Sequence, residues 1–421
     1  MCSLPRCTQY PNLVHANTSR SLVLPSLRSV NLVLKEATRQ DFPLSLYLSY
    51  SLQSIIIDVG FRTTKETRRH HESLYVYLDA VARVSTNLQH LCLRGRLSDR
   101  VVNSIAFMRE LRSLSVCGGS QLTPRTLASV ACFQNLENLR LQLDWPNVSD
   151  LTEGFGAVSS NTALFPSLRA LRIRMSPAAA EVFFTHLPEG RLHTVHLESD
   201  TKPRSVDSWT SALTILAEKT HSSLTDLSFE VLISFCEAFD DLAPPKLHIT
   251  LATLTPLARL THLHRFALDA CVPPDLSDAD LATIASWWPE IEELTLWSRP
   301  VESFDLPAYF TTQSHSATPA SLTVLAERCP RLRMLCFPTD VAVLPPPTHP
   351  PLVVPSQTVL TRLTIGCVRT GKTIDPAGLV ECIYRAFPEL EEIEFDCGDE
   401  TTSWADVIEC YRGLRGHAVP V

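Results

Sequence analysis

A six-residue pattern, Leu-x-x-Leu-x-Leu, recurs thirteen times along this 421-residue chain, and no other feature constrains its fold as much. The copies begin at Leu27, Leu52, Leu88, Leu111, Leu136, Leu168, Leu192, Leu224, Leu263, Ile291, Leu332, Leu360 and Leu390. Typical members read LQHLCL, LENLRL, LRALRI, IEELTL and LEEIEF. Steps between copies run from 23 to 41 residues, around a mean of about 30, so the array is irregular. Period-two alternation over the last three positions of a copy is what a short strand with one buried face requires.

Between copies lie segments of helical spacing that follow a capping residue. These are Asp99 before VVNSIAFM, Thr123-Pro124, Ser277 before DADLATIASWW, Thr318-Pro319 and Asp375-Pro376. Several of them end at a proline just before the next copy, as in Trp288-Pro289, Cys329-Pro330 and Phe387-Pro388, where Pro biases its predecessor towards extended backbone. One strand–helix unit cannot bury both of its faces, so neighbouring units must stack and share a core. The predicted fold is an α/β leucine-rich-repeat solenoid, a horseshoe of about thirteen irregular repeats, with parallel strands on the concave face and helices on the convex face.

The array spans residues 22–400, after an N-terminal segment 1–21 and before a C-terminal cap or tail 401–421. Three insertions interrupt it, near 241–254, 299–317 and 338–355. The last contains LPPPTHPPLVVP, which cannot be helical and is expected as polyproline II, either an extended spacer or, through Pro347-x-x-Pro350, a ligand for an SH3- or WW-type partner.

Composition removes several function classes. Charged residues make up 19% and the net charge is −8, which argues against general nucleic-acid or anionic-membrane binding. The thirteen cysteines include no C-x-x-C pair and many adjoin apolar residues, as in Leu91-Cys92-Leu93, so they are expected as reduced thiols of a cytoplasmic or nuclear protein. The start lacks a secretory h-region, and no uncharged apolar run reaches 18 residues.

LSDADLATIASWWPEIEELTL and TPASLTVLAERCPRLRMLCF resemble the cysteine-containing leucine-rich repeats of F-box proteins, especially fungal ones, over about residues 22 to 400. Cys271, nine positions into LHRFALDAC, stands where that repeat type carries its cysteine. The resemblance implies a solenoid that recruits a substrate while an N-terminal F-box docks it onto an SCF-type ubiquitin-ligase adaptor. No F-box is found here, since the repeats begin by Leu27. This is expected of a truncated chain or of a relative without the module.

Candidate chemistry is sparse. Gly366-Cys-Val-Arg-Thr-Gly371-Lys372-Thr373 matches the phosphate-binding pattern G-x-x-x-x-G-K-T. That cradle needs a helix beginning at its Gly-Lys-Thr, whereas Asp375-Pro376 marks a later start, so nucleotide binding stays the lesser reading. His193-x-x-His196, His262-x-His264 and His70-His71 read as surface or edge histidines, because alternation sends His193 and His196 apart and no carboxylate is placed by spacing to complete a metal site. There is no G-x-S-x-G, and the adjacent pairs Glu292-Glu293 and Glu391-Glu392 face opposite ways. No enzyme active site, cofactor or metal is expected.

If positions one, four and six of each copy are buried, positions three, five and seven project onto the concave wall. That wall then presents Arg94, Asn138, Arg140, Gln142, Arg172 and Arg174, followed by His196, Glu198, Asp226, Glu230, Asp269, Glu293 and Trp297, and last by Glu392, Glu394 and Asp396. The order predicts a basic patch followed by an acidic one. Arg94, Arg140, Arg172, Arg174, His196, Glu230, Asp269, Glu293 and Trp297 are the candidate contacts to a protein partner, made by a chain that is a monomer outside its complex. The alternative class is a structural scaffold with no ubiquitin link, organised by the Pro-rich insertion and the convex helices.

Overall fold

A computed structural model describes residues 22–34, 44–61, 65–144, 147–159, 163–199, 208–231, 248–270, 273–297, 317–345, 359–367, 375–396 and 404–417. The chain divides into two compact units, Met1–Leu168 and Arg169–Val421. The first holds strands β1 (Ser29–Val33), β2 (Ser54–Asp58), β3 (His90–Arg94), β4 (Ser113–Gln121) and β5 (Asn138–Asp144), with helices α1 (Lys65–Val84), α2 (Asp99–Asn103), α3 (Pro124–Ala131) and α4 (Val148–Ser159). The second holds β6 (Ala170–Met175), β7 (Thr194–Ser199), β8 (Asp226–Val231), β9 (Arg265–Ala270), β10 (Glu293–Thr295), β11 (Met334–Thr339), β12 (Arg362–Cys367) and β13 (Glu392–Asp396). Its helices are α5 (Pro177–Thr185), α6 (Trp209–Thr220), α7 (Leu251–Leu254), α8 (Asp278–Trp287), α9 (Ala320–Arg328), α10 (Pro376–Ala386) and α11 (Trp404–His417).

Every strand starts two residues after the first apolar position of one of the thirteen copies. Within each unit the strands lie parallel in sequence order and in register, so equivalent positions of successive copies form straight rows. Each unit is thus a run of an α/β leucine-rich-repeat solenoid, because a crossover helix is what returns the chain to lay down the next parallel strand.

The buried rows are those that alternation assigns. Leu88, Leu91 and Leu93 are fully buried, as are their counterparts Leu192, Val195 and Leu197. The first and last described copies are wetter, with Leu27 and Leu32 in one and Ile393 and Phe395 in the other only half-buried, since each has a neighbouring copy on one side alone among the described residues. At the far end α11 supplies a cover. Tyr411 donates its hydroxyl to the carbonyls of Phe387 (3.3 Å) and Leu390 (3.1 Å), and Trp404 stacks on Phe395 at 4.3 Å.

Helix starts follow cap chemistry. Thr123 accepts from the Thr126 N–H (3.2 Å), Asp375 from that of Gly378 (3.2 Å), and Ser277 with Asp280 forms a reciprocal capping box. Two starts differ from the sequence reading. Ser98 rather than Asp99 precedes α2, and α9 begins at Ala320, after Pro319. Trp288, Cys329 and Phe387 end their helices ahead of proline, as expected, with ψ at 68°, 71° and 74°, out of the helical region but short of fully extended backbone. Part of the first insertion is no break at all, for α7 and the 3-10 turn Thr255–Arg259 are the helical segment of their repeat. The third begins inside β11, whose last residues are Pro338 and Thr339. Residues 1–21, 241–247, 299–316, 346–355, 368–374 and 401–403, together with Cys271, lie outside the described residues, and with them most of the Pro-rich segment. No helix among the described residues is long and apolar enough to cross a membrane.

Candidate functional site: the open face of the sheet

Strand register decides which side chains meet on the face away from the helices. In the first unit, His90, Cys92 and Arg94 of β3 stand beside Ser113, Ser115 and Cys117 of β4, and these beside Asn138, Arg140 and Gln142 of β5. Arg94 is exposed and lies over the Phe61 ring at 5.9 Å, a distance at which a guanidinium is drawn to the ring face. Arg140 is half-buried and donates to Gln142 Oε1 (3.1 Å), while its Nε is buried with no partner among the described residues.

In the second unit the polar rows are dense. One runs Asp226, Arg265, Glu293, Met334, Arg362, Glu392. Arg265 bonds Glu293 at 2.7 Å and approaches Asp226 at 3.6 Å, and Arg362 bonds Glu392 at 2.7 Å. The expected order of a basic patch followed by an acidic one is therefore corrected. Arg265 and Arg362 occupy position three of their copies and put cations between the acids, and strands about 4.8 Å apart bring opposite charges into contact along the row.

The most structured part of the face lies where β6, β7 and β8 adjoin. Arg172 reaches Glu198 at 2.8 Å, and His196 Nε2 lies 3.0 Å from Glu230 Oε2 and 3.4 Å from Glu198 Oε1. Glu198 is 5% exposed, far from the solvent-facing acid that alternation implies. Burial pulls the His196 pKa down, but the hydrogen bonds to Glu198 and Glu230 outweigh it, and the imidazole holds its proton above the ordinary histidine value. The ligand atoms of His196, Glu198 and Glu230 all lie within 4.8 Å of one another. This grouping escapes a search for close histidine spacing. Its signal is a same-parity His-x-Glu in one copy with an acid at the matching position of the next, and it requires the register between copies.

The remaining candidates are dispersed. Arg174 is exposed at the end of β6, and Asp269 is half-buried on β9 in the row of Glu198 and Glu230. Trp297 departs from expectation, being 5% exposed with its indole seated on Gly366, where an added Cβ would fall 1.8 Å from Cε3. The glycine that opens the phosphate-loop-like motif is thus a packing glycine in β12, and the helix after the motif begins at Pro376. The other histidines do separate. His193 is exposed ahead of β7, His264 faces Glu290 at 3.6 Å, and His71 Nε2 pairs with the Arg96 carbonyl at 2.6 Å.

No family model matches the chain, and no curated protein sequence matches it. Among solved structures, the leucine-rich-repeat-containing protein LegL7 from Legionella pneumophila aligns over 93% of this chain and 99% of its own, at 13% identity and a TM-score of 0.37. The complex of Rad7 and Elc1 in yeast aligns over 78% and 81%, at 12% and 0.38. The plant peptide hormone receptor RGFR1 in complex with RGF2 covers 88% of this chain and 59% of the receptor, at 13% and 0.35. At such values, what those proteins bind says nothing about this one.

Proposed function

We propose that this chain is a protein-interaction solenoid that holds a protein or peptide partner on the open face of its sheet. The candidate contacts are Arg94 and Arg140 in the first unit and Arg172, Arg174, His196, Glu230, Asp269 and Glu293 in the second. The observation behind this reading is the density of ionic side chains on the open face of β6 to β10, fixed by strand register over a continuous apolar row. Such preordered groups bind with little further loss of side-chain freedom. Because Glu198, Asp226, Glu230 and Glu293 there each have a basic neighbour, recognition works by exchanging internal ion pairs for pairs with the partner, which favours selectivity over raw affinity.

The finer reading is that the solenoid is the substrate-recognition part of an F-box-type (SCF) ubiquitin ligase, acting in the cytoplasm or nucleus. It is supported by the repeats LSDADLATIASWWPEIEELTL and TPASLTVLAERCPRLRMLCF.

Substituting Arg172 is a poor probe, since it strips the partner of a buried carboxylate. A better set is Arg174→Ala, Asp269→Ala and Glu293→Ala together, with Glu153→Ala and Glu327→Ala on the helices as the control. Tagged protein is purified from its native cells under proteasome inhibition and read by mass spectrometry. The triple variant is expected to lose partners that the control keeps. Equal recovery from both removes the open face as the binding surface, and reproducible partners without a cullin-ligase adaptor remove the ubiquitin reading alone.

A further inference from the structure

We propose that His196, Glu198 and Glu230 form a three-ligand site for a divalent transition metal of the zinc type, with its fourth position open on the sheet face. A tetrahedral zinc with ligands at about 2.0 Å holds neighbouring ligand atoms about 3.3 Å apart. Two of the three edges of such a site are in place, at 3.0 Å from His196 Nε2 to Glu230 Oε2 and 3.4 Å to Glu198 Oε1, and the third, between the two carboxylates, is at most 4.8 Å.

Three features separate this cluster from an ordinary patch of surface acids. One ligand is an imidazole, which prefers zinc, copper or nickel to calcium or magnesium. The side chains are sunk into the face, at 6% exposure for Glu198, 19% for Glu230 and 24% for His196, so ligand charges act in a medium less screened than water. Their backbones lie in two paired strands, with His196 opposite Ser228 and Glu198 opposite Glu230, so the site stands on rigid elements.

Arg172 fits the same picture. Its guanidinium bonds Glu198 and supplies the hydrogen-bonded partner that orients a ligating carboxylate. A bound metal takes the place of the proton on His196, and the two carboxylates and the imidazole against one guanidinium are then net negative, a charge that a dication offsets. Three protein ligands with an open fourth place are the arrangement in which a metal takes water or an incoming side chain. The site rests on the second unit alone, so it can stand if the partner reading fails.

The test uses the full chain without a polyhistidine tag, stripped with chelator and kept reduced with a phosphine that leaves metals free. Cobalt(II) is titrated in and read by visible absorption, then displaced with zinc. The expected result is one equivalent of bound cobalt showing weak d–d bands without the strong near-ultraviolet thiolate-to-cobalt transition. His196→Gln and Glu230→Gln are each expected to weaken binding by at least about 10- to 100-fold, with circular dichroism unchanged. Zinc should also raise the Tm of the native chain by more than that of either variant at the same concentration. No bound cobalt, or a thiolate-type spectrum that survives both substitutions, overturns the proposal.

Discussion

Gly366 and Trp297 show how far a single residue can depend on a distant one. The indole crosses β11 to lie against the Cα of β12, and the Cys336 thiol, on the strand between, donates to the Trp297 carbonyl at 3.0 Å. Gly366→Ala is expected to cost about 1–3 kcal/mol in urea unfolding, and much less in a Trp297→Ala background. Equal costs in both backgrounds would remove the contact as the reason for the glycine. Gly95 is constrained differently, with φ at +109° and the Gly60 carbonyl 2.3 Å from where its Cβ would be. Cysteine chemistry is graded by the same local packing. Burial pushes the Cys329 thiol up to about 12 and the Cys382 thiol to about 11, so little thiolate forms at pH 8, whereas Cys410 is exposed. Brief iodoacetamide treatment of the native chain at pH 8, read by mass spectrometry, should label Cys410 and spare Cys329 and Cys382, with all three labelled after unfolding.

At the scale of the element, helix starts are tied to the repeat before them. Asp278, first residue of α8, accepts from the Thr318 N–H (2.8 Å) and hydroxyl (2.7 Å) and from Ser321 Oγ. Asn103, last residue of α2, accepts in the same way from Thr123 (3.2 Å to its N–H) and Thr126 at the start of α3. Asp278→Ala leaves those donors unsatisfied and is expected to cost about 1–3 kcal/mol, measured by urea denaturation. A loss below about 0.5 kcal/mol would show that water replaces the carboxylate there. The elements themselves were legible in the sequence because the Leu-x-x-Leu-x-Leu spacing encodes strand position and facing at once, and all thirteen strands among the described residues start where it places them. Parity also told which residues stand on the open face. It could not tell which of them lie deep, because that depends on which side chains pack over each one. Glu198 is covered through Arg172 and His196, and Trp297 sinks because Gly366 leaves room. Arg265 and Arg362, at position three of their copies, were overlooked, and with them the alternation of charge.

At the scale of the whole molecule, solenoid stability is close to a sum of repeat and nearest-neighbour terms, so the ends should open first. Hydrogen exchange is expected to be faster at Val30 to Leu32 in β1 than at Val195 to Leu197 in β7, where the Val195 and Leu197 side chains are buried by neighbours on both sides. Equal protection would mean that the array unfolds as one cooperative block. The row Asp226, Arg265, Glu293 also bears on how such an array can change over time. Excising the repeat that carries Arg265 would leave two carboxylates abutting, and duplicating it would set two guanidiniums side by side. Gain or loss of a unit there is therefore penalised even though every unit shares one architecture. The copies are not interchangeable beads, and their order is written into the molecule as a sequence of signs.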